Sequence, residues 1–338
     1  MRNAPITIKD IAKELSVSIS TVSRALSDNP LVKASTRKAV QELAKKYNYT
    51  PNFTALSLKN NKTNTIGIII PQLVHEFFAS VIRGIEDVAY SQKYNVMICS
   101  SHESYEREVL DSKALINGRV DGLIACMSRN TKEYQHFIEF SDRGIPIVFF
   151  DCICEAIDSH KILIDDFDAG YRATKHLIEQ SCENIAYLGG PISLQINQDR
   201  YAGYIKALSE AGLNTDDQWI IHCNTGSFED GLSASLELTL HDKIDGLFAG
   251  TDMLALSAIK NFKAKKRKIP EDIAVIGFSN WTISSLYEPS ISTVDQPGYK
   301  MGKKAAELLL KDIKSPYVIK PETHILQTNI IVRDSSSR

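Results

Sequence analysis

The sequence predicts an α/β protein in which a three-helix N-terminal domain precedes two doubly wound lobes, each built on a parallel sheet. Residues 8–48 contain short amphipathic helices, the first two separated by only three residues. From residue 65 onward, apolar runs alternate with helical stretches, which is typical of parallel sheets covered on both faces. The charge changes at the same point: residues 1–62 hold eleven Lys and Arg against four Asp and Glu, and the remainder holds 28 against 37. A basic head on an acidic body predicts a polyanionic partner for the head alone.

The first two helices have the spacing of a helix-turn-helix. Apolar residues recur at three- and four-residue steps in the first helix, and Thr7 and Asp10 are placed to cap its first turn. Residues 16–18 interrupt the pattern, and Val22 and Leu26 then resume an apolar face. Two short helices that share one small core at a steep angle form this motif.

The second helix is predicted to carry the function of the head. Because Val17, Val22 and Leu26 face the core, its outer surface should present Ile19, Ser20, Thr21, Ser23 and Arg24. Arginine can read guanine bidentately in the major groove, and Ser or Thr hydroxyls can meet bases or phosphates. Taken alone, the same face is also compatible with an ordinary solvated helix surface.

A third helix, about residues 35–47, offers cations to phosphates, and a linker follows it. Its basic residues are Arg37, Lys38, Lys45 and Lys46. Pro51 closes the head. Residues 52–64 contain a single helical turn in which Leu58 precedes Lys59. This pairing suits a side chain that wedges into the minor groove beside a phosphate-binding cation, although a plain linker with incidental leucines explains it as well.

The body divides into two lobes whose ligand should lie beyond the carboxyl ends of their strands. The strand-helix pattern runs through residues 66–151 and restarts at residues 162–164. The predicted domains are 1–51 for the head, 52–64 for the hinge and linker, and 65–338 for the core. Within the core, lobe 1 covers about 65–160 and 295–320, and lobe 2 covers about 161–292 and 321–333, with three crossings between them. Such a hinged clamp is a natural bistable element.

Taken together, these motifs resemble the LacI/GalR family of bacterial transcription regulators over nearly the whole chain. In the head, the resemblance rests on residues 8–13, 17–24, 36–37 and 48–52, and in the linker on residues 55–59. In the body it rests on residues 120–124, 146–148, 200–204, 276–278, 296–297 and Arg333. Each body fragment is weak by itself, but their order and spacing are specific.

The resemblance implies a homodimer that reads a near-palindromic operator, with a periplasmic-binding-protein-like type I core that binds a small effector. The implied DNA-binding residues are Thr7, Ser18, Ile19, Ser20, Thr21, Ser23, Arg24, Lys33, Leu58 and Lys59. The implied effector-binding residues are Phe77, Phe78, Asp151, Arg200, Asp252, Asn280 and Trp281. Lys33 replaces the Ser or Thr usual in the family, which weakens a cap and adds a phosphate contact.

Sugars are the favoured effector class, since an Arg and an Asp at strand ends suit the recognition of hydroxyl groups. Ser279 and Asn280 stand where the family often has a ligand-binding Asp, so the hydroxyl pattern should differ from that of better-known members. Leu194 and Ile196 disfavour a purine. Two simpler interpretations stay open: Phe77 and Phe78 start a packed helix, and Asp252 caps its own helix. The pattern does not determine whether Phe228 reaches the pocket.

Other classes of function have weaker support. An enzyme acting on a small ligand is the alternative, but no strand is followed by a dinucleotide-binding or Walker loop. Six scattered cysteines, with Cys152 and Cys154 as the one close pair, complete no zinc motif, so neither a metal nor a cofactor is predicted. With no signal peptide and no membrane-length apolar run, we expect a cytoplasmic protein without membrane contact. The Ser-rich tail carries no leucine heptad, which favours a dimer over a tetramer.

Overall fold

The structure, a computed structural model, describes residues 6–49 and 62–338. The chain divides into two compact units, Met1–Thr63 and Asn64–Arg338. This division lies at the predicted start of the core. The hinge turn, including Leu58 and Lys59, lies outside the described residues, so its role stays a prediction. No helix in residues 6–49 and 62–338 is long and apolar enough to cross a membrane.

The head contains three helices around a small apolar core. They are α1 (Ile8–Glu14), α2 (Ile19–Leu26) and α3 (Ala34–Lys46). Their shared core consists mainly of Ile11, Ala12, Val22, Ala25, Val32, Val40 and Ala44. Ser16 adopts a left-handed conformation with φ of 51°, which turns the chain sharply between α1 and α2. The predicted helix-turn-helix is therefore present.

The first lobe is a six-stranded parallel sheet covered by helices on both faces. Its strands are β1 (Thr65–Ile70), β2 (Asn95–Ser100), β3 (Gly122–Ala125), β4 (Ile147–Phe150), β5 (His160–Ile164) and, much later, β11 (Thr323–Leu326). Its helices are α4 (Glu76–Ser91), α5 (Tyr105–Asn117), α6 (Gln135–Asp142) and α12 (Gly298–Lys314). The strand order is β11-β5-β4-β3-β1-β2. Both faces of β1 are buried, Ile68 beneath α4 and α12 and Ile69 beneath α5 and α6.

The second lobe repeats this plan. Its strands are β6 (Ile185–Gly189), β7 (Ile220–His222), β8 (Gly246–Ala249), β9 (Ala274–Phe278), β10 (Ser292–Asp295) and β12 (Asn329–Ile331). Its helices are α7 (Asp166–Glu179), α8 (Gln195–Ala211), α9 (Phe228–Leu238), α10 (Asp252–Ala264) and the short α11 (Thr282–Leu286). The order is β12-β10-β9-β8-β6-β7, and β12 alone runs antiparallel to its neighbour. The two predicted doubly wound lobes are thus confirmed.

The predicted lobe boundaries need correction. Strand β5 was expected to open lobe 2, but it pairs with β4 in the first sheet, with Val148 opposite His160. Strand β11, within the range assigned to lobe 2, pairs in turn with β5. The connection from β4 to β5 contains no helix, so the strand-helix period breaks inside a single lobe. Between residues 62 and 338 the chain crosses three times, at 164–166, 295–298 and 326–329.

Each lobe packs one pair of helices at close range through reciprocal glycines. A Cβ on Gly302 of α12 would lie 1.9 Å from the carbonyl oxygen of Val81 on α4. In the second lobe, a Cβ on Gly203 of α8 would lie 2.2 Å from the carbonyl oxygen of Phe167 on α7. Only glycine permits these contacts, because the obstacle is backbone. These helix pairs fix the first turns of α4 and α8, which carry cleft residues.

Candidate functional site

The outer face of α2 is polar and exposed. Ile19 is 46% exposed, Ser20 and Arg24 are exposed, and Thr21 and Ser23 are partly exposed. Val22 and Ala25 on the same helix are fully buried. The predicted separation of α2 into a core face and an outer face is therefore present, and Ser20 and Arg24 are not packed inward.

Several of the hydroxyls predicted to bind DNA also begin helices. The Ser18 side chain accepts a hydrogen bond from the Thr21 amide at 3.1 Å, and its hydroxyl is 2.8 Å from those of Ser20 and Thr21. Thr7 donates from its amide and its hydroxyl to the Asp10 carboxylate at 2.8 and 2.6 Å, and these bonds lower the pKa of Asp10. These hydroxyls therefore stabilise the first turns of their helices.

The cations of the head differ in how they are held. Arg37 lies 3.5 Å from Asp28 and donates to the Asn29 carbonyl, so α3 uses it to hold the preceding loop. Lys33 precedes α3 without a side-chain cap and is exposed, as its substitution for Ser or Thr predicts. Among residues 6–49 and 62–338, no side chain pairs with the Arg24 guanidinium. Arg24 is therefore available to an external acceptor.

A cavity of about 380 Å³ lies between the two lobes, at the carboxyl ends of their strands. Its aromatic wall contains His75, Phe77, Phe78 and Trp281. The His75 and Trp281 rings come from different lobes and meet edge to face at 4.3 Å. His75 Nδ1 and Trp281 Nε1 are buried and have no hydrogen-bond partner within the described part of the chain. Buried polar atoms of this kind are suited to a ligand.

Phe77 and Phe78 agree with both interpretations offered by the sequence, which are the start of a packed helix and a wall of the ligand cleft. They lie in the first turn of α4, are nearly fully buried, and contact each other at 5.2 Å between ring centroids. Phe78 also packs against Phe150 of β4. The two residues both anchor the helix in the lobe 1 core and line the cavity.

Arg200 of α8 lines the cavity and is held rigidly. Its Nε donates to Asp166 at 2.7 Å, and its Nη1 donates to the Gly250 carbonyl at 3.1 Å. Its guanidinium also stacks 3.7 Å from the Phe278 ring centroid. Burial raises the pKa of Asp166, and the charge of Arg200 opposes that rise. Sequence patterns predicted Arg200 but gave no indication of Asp166 as its partner.

Asp151 lies at the end of β4 and faces the lobe that carries Arg200. Its carboxylate has only weak hydrogen-bond donors among the described side chains. Its backbone is left-handed, with φ of 57°. Its Oδ2 is 3.9 Å from Cys126 Sγ and 3.8 Å from Cys152 Sγ, both weak thiol donors. Burial raises the pKa of Asp151, and the Arg200 charge partly offsets the rise.

Two predicted effector residues do not line the cavity. Asp252 is fully buried and accepts from Thr293 Oγ1 at 2.6 Å and from the Trp281 amide at 2.7 Å. Burial raises the pKa of Asp252 to about 6. Asn280 donates from Nδ2 to Asp295 at 2.8 Å and accepts from Arg333 at 2.7 Å. Both side chains are used within lobe 2, where they position Trp281 and the strand ends.

The sequence interpretation missed residues that close the cavity. Arg129, just after β3, donates from Nη1 to the carbonyls of Asn224 and Thr225 in lobe 2 at 3.3 and 3.1 Å. Glu103 accepts from the Arg129 amide at 2.8 Å and keeps that loop in place. On the other side, Glu76 accepts from the Thr282 amide at 2.7 Å. These contacts, the Arg129 clasp and the Glu76 clasp, join the lobes across the cleft. Their position after strand ends was the available signal.

Two further positions complete the lining. Phe228, whose position the sequence left open, lines the cavity. Ser279, where the family often has an acid, also lines it and donates to Gln296 Oε1 at 2.7 Å. Leu194 and Ile196 contribute apolar surface there.

Comparisons with known proteins agree with this architecture. The chain matches the family model for bacterial regulatory proteins of the lacI family over residues 7–52, and a periplasmic binding protein-like domain over residues 174–336. It is 36% identical to catabolite control protein A of Priestia megaterium, over 90% of this chain and 92% of that protein. It is 35% identical to the HTH-type transcriptional repressor PurR of Aliivibrio salmonicida (strain LFI1238), over 92% and 93%. The chain belongs to the LacI family.

A solved structure leads to the same conclusion about the fold. The transcriptional regulator CelR in complex with cellobiose matches with a TM-score of 0.72 and 27% identity, over 98% of this chain and 99% of that chain. The LacI family consists of DNA-binding transcriptional regulators, and the relatives named above are regulators rather than enzymes. The enzyme alternative is therefore rejected.

Proposed function

We propose that this LacI-family regulator is a homodimeric repressor that reads its operator with α2 and changes its operator affinity when a sugar or sugar derivative binds between the lobes. The observation that carries the DNA-reading half is the Arg24 guanidinium, which has no side-chain partner among the described residues and lies beside Ser20 on the exposed face of α2. A guanidinium there can donate two hydrogen bonds to a guanine edge.

The chemistry of the α2 face suggests how the bases are read. Ile19 can contact only an apolar group, such as a thymine methyl, so hydrogen-bonded reading falls to Ser20 and Arg24. Thr7, Ser18 and Lys33 lie at helix starts, where hydroxyls, amides and a cation suit phosphate contacts that fix the register. The proposed wedge of Leu58 and Lys59 rests on the sequence alone.

The cavity supports a small polar ligand with an apolar face. Its size falls within the range of small-molecule pockets, about 300–1,000 Å³. Aromatic rings suit the apolar face of a sugar ring, while Asp151, Arg200, His75 Nδ1 and Trp281 Nε1 supply acceptors and donors for hydroxyls. The cellobiose bound by CelR, a relative over the whole chain, supports the same ligand class. The apolar Leu194 and Ile196 argue against a purine.

Ligand binding can be coupled to DNA binding through lobe closure. A ligand that contacts Asp151 in lobe 1 and Arg200 in lobe 2 favours the closed arrangement, in which the Arg129 and Glu76 clasps are formed. The ligand shifts the equilibrium only by its preference for one arrangement, and the coupling to operator affinity is reciprocal.

The DNA-reading proposal is tested with Arg24→Ala and the matched control Lys13→Ala, which removes an exposed cation from α1. An operator is selected from random duplexes, and affinities are measured for it and for variants at each base pair. We expect Arg24→Ala to weaken specific binding by about tenfold or more and to lose preference at one base pair per half-site, corresponding to about 1–3 kcal/mol. Lys13→Ala should leave the preference unchanged. Retained wild-type preference in Arg24→Ala would contradict the proposal.

The effector class is tested by thermal shift of the full-length protein with monosaccharides, disaccharides, sugar acids and nucleosides. A stabilising sugar should also change operator affinity, because a ligand that binds only one lobe arrangement must be linked to the DNA equilibrium. Stabilisation by nucleosides alone would overturn the sugar assignment and leave the DNA-reading assignment intact.

A further inference from the structure

The lobe 1 wall of the cavity brings together two cysteines that are far apart in sequence. Cys126 follows β3, and Cys152 follows β4 by two residues. Because β3 and β4 are adjacent parallel strands, with Ala125 opposite Phe149, both thiols reach the same sheet edge. The sequence-adjacent pair separates instead, since Cys154 turns into the apolar cluster under α6.

Asp151 completes a three-donor group with these thiols. The ligand atoms of Cys126, Asp151 and Cys152 lie within 4.8 Å of one another, and Asp151 Oδ2 is 3.9 and 3.8 Å from the two sulfurs. For Zn–S bonds of about 2.3 Å and Zn–O bonds of about 2.0–2.2 Å, neighbouring donors in a tetrahedral site are about 3.5–3.8 Å apart. The donors are therefore already close to the spacing that a metal ion requires.

We propose that Cys126, Asp151 and Cys152 form a binding site for a thiophilic divalent metal ion, for which Zn²⁺ is the natural probe. Two sulfurs and one carboxylate are a donor set that favours zinc-like ions over magnesium or calcium. On binding, both thiols release their protons to solvent and two metal–sulfur bonds form, with no change in oxidation state.

The charges around the group accommodate a dication. Arg200 is neutralised by Asp166 at 2.7 Å, and Arg129 lies 3.7 Å from Glu103. Two thiolates and the Asp151 carboxylate would leave a metal complex with a net charge of about minus one. Both nearby arginines therefore face a negative complex rather than a competing cation.

The fourth coordination position would face the cavity, since all three donors line it. A hydroxyl or carboxylate oxygen of the effector, or a water molecule, can occupy that position. This last step rests on the proposed effector site, whereas metal binding itself does not. The metal would then give the lobe 1 wall a direct bond to the effector, at a place where Cys126 and Cys152 are only weak hydrogen-bond donors.

The test uses the reduced, metal-free, full-length protein titrated with Co²⁺ and then Zn²⁺. We expect one Co²⁺ per chain with sulfur-to-cobalt charge-transfer absorption, which Zn²⁺ abolishes by displacement. Cys126→Ser and Cys152→Ser should each weaken binding at least tenfold and reduce the absorption. Asp151→Asn should weaken binding while the absorption at saturation persists. Cys99→Ser, at a half-buried thiol outside this group, is the matched control and should bind like wild type.

Three outcomes would overturn the proposal. They are the absence of sulfur-to-cobalt absorption in the wild type, undiminished absorption and affinity in Cys126→Ser, and an equal loss in Cys99→Ser. Thermal unfolding of each variant shows that it is folded. If the wild type has two fewer free thiols before reduction than after it, and Cys126→Ser shows no such difference, Cys126 and Cys152 form a disulfide instead of a metal site. Operator binding measured on the same preparations separates the proposals, because DNA binding without a metal site contradicts only this inference.

Discussion

The two lobes share a construction but hold their cleft charges differently. Both have six-stranded sheets with the same order and one helix pair packed through reciprocal glycines. In lobe 2, Arg200 has a carboxylate, a carbonyl and an aromatic ring as fixed partners. In lobe 1, within the part of the chain that the structure describes, the Asp151 carboxylate has only two distant thiols as side-chain partners, and His75 Nδ1 has no partner. One wall is therefore preorganised, and the other leaves its polar atoms for a ligand.

The largest effect should come from breaking the preorganised wall. Arg200→Ala leaves Asp166 buried without its counter-charge, and we expect a loss of about 3–5 kcal/mol in the free energy of unfolding. Urea denaturation monitored by tryptophan fluorescence measures it. The control Arg143→Ala breaks an exposed ion pair with Glu139 and should change stability by no more than about 1 kcal/mol. Equal losses in the two variants would show that Arg200 is not part of a rigid wall.

An intermediate effect should come from His75 as pH falls. Burial and the Arg200 charge lower the pKa of His75 to about 4 from 6.5, so the unfolded chain takes up this proton first. The stability that neutral His75 contributes is complete above about pH 6.5 and is lost as pH falls towards 4, by about 2 kcal/mol between pH 7 and 5.

Because burial raises the pKa of Asp166 and Asp252, the folded chain takes up these protons before the unfolded chain does. These two groups therefore increase the free energy of unfolding as pH falls from 7 to 5, opposite to His75. The measurement is therefore the difference between wild type and His75→Phe, each unfolded with urea at pH 7 and pH 5. The variant should lose less stability on acidification. A difference that stays constant with pH would mean that His75 titrates normally.

The smallest effect on stability should come from Asp151→Asn. The amide removes a buried charge that has no strong donor, and Asn tolerates the left-handed backbone at this position. We expect unfolding free energy to stay within about 1 kcal/mol of wild type, while effector stabilisation in the thermal-shift assay falls sharply. A loss as large as that of Arg200→Ala would show that both walls are equally preorganised.

Sequence patterns predicted the fold well where periodicity was long. The helices of the head, the two sheets and the exposed positions Ser20 and Arg24 follow from apolar spacing. The strands β10 and β11 were not predicted, because polar residues interrupt their apolar runs, which read STVD and THIL. The lobe boundary at β5 was wrong because a parallel connection without a helix looks like a domain boundary.

The site was predicted less completely, because a sequence shows which residues end strands but not which atoms they satisfy. The predicted cavity position agrees with the structure for Arg200, Asp151 and Trp281. Asp252 was also expected at the cavity but does not line it, because its buried oxygens accept hydrogen bonds from Thr293 and from a backbone amide in lobe 2. The pairing of Cys126 with Cys152 depends on strand order, which residue spacing does not reveal.

The three crossings lie at one edge of each sheet, and this arrangement constrains how the lobes can separate. Strands β5 and β11 occupy one edge of the first sheet, and β10 and β12 occupy one edge of the second. Two residues join β11 to β12, so the distance between these edges is limited to one short extended segment. Relative displacement must therefore grow with distance from that edge and be greatest near β2 and β7. An opening motion would stretch the Arg129 clasp, beside the end of β7, before any of the three covalent links.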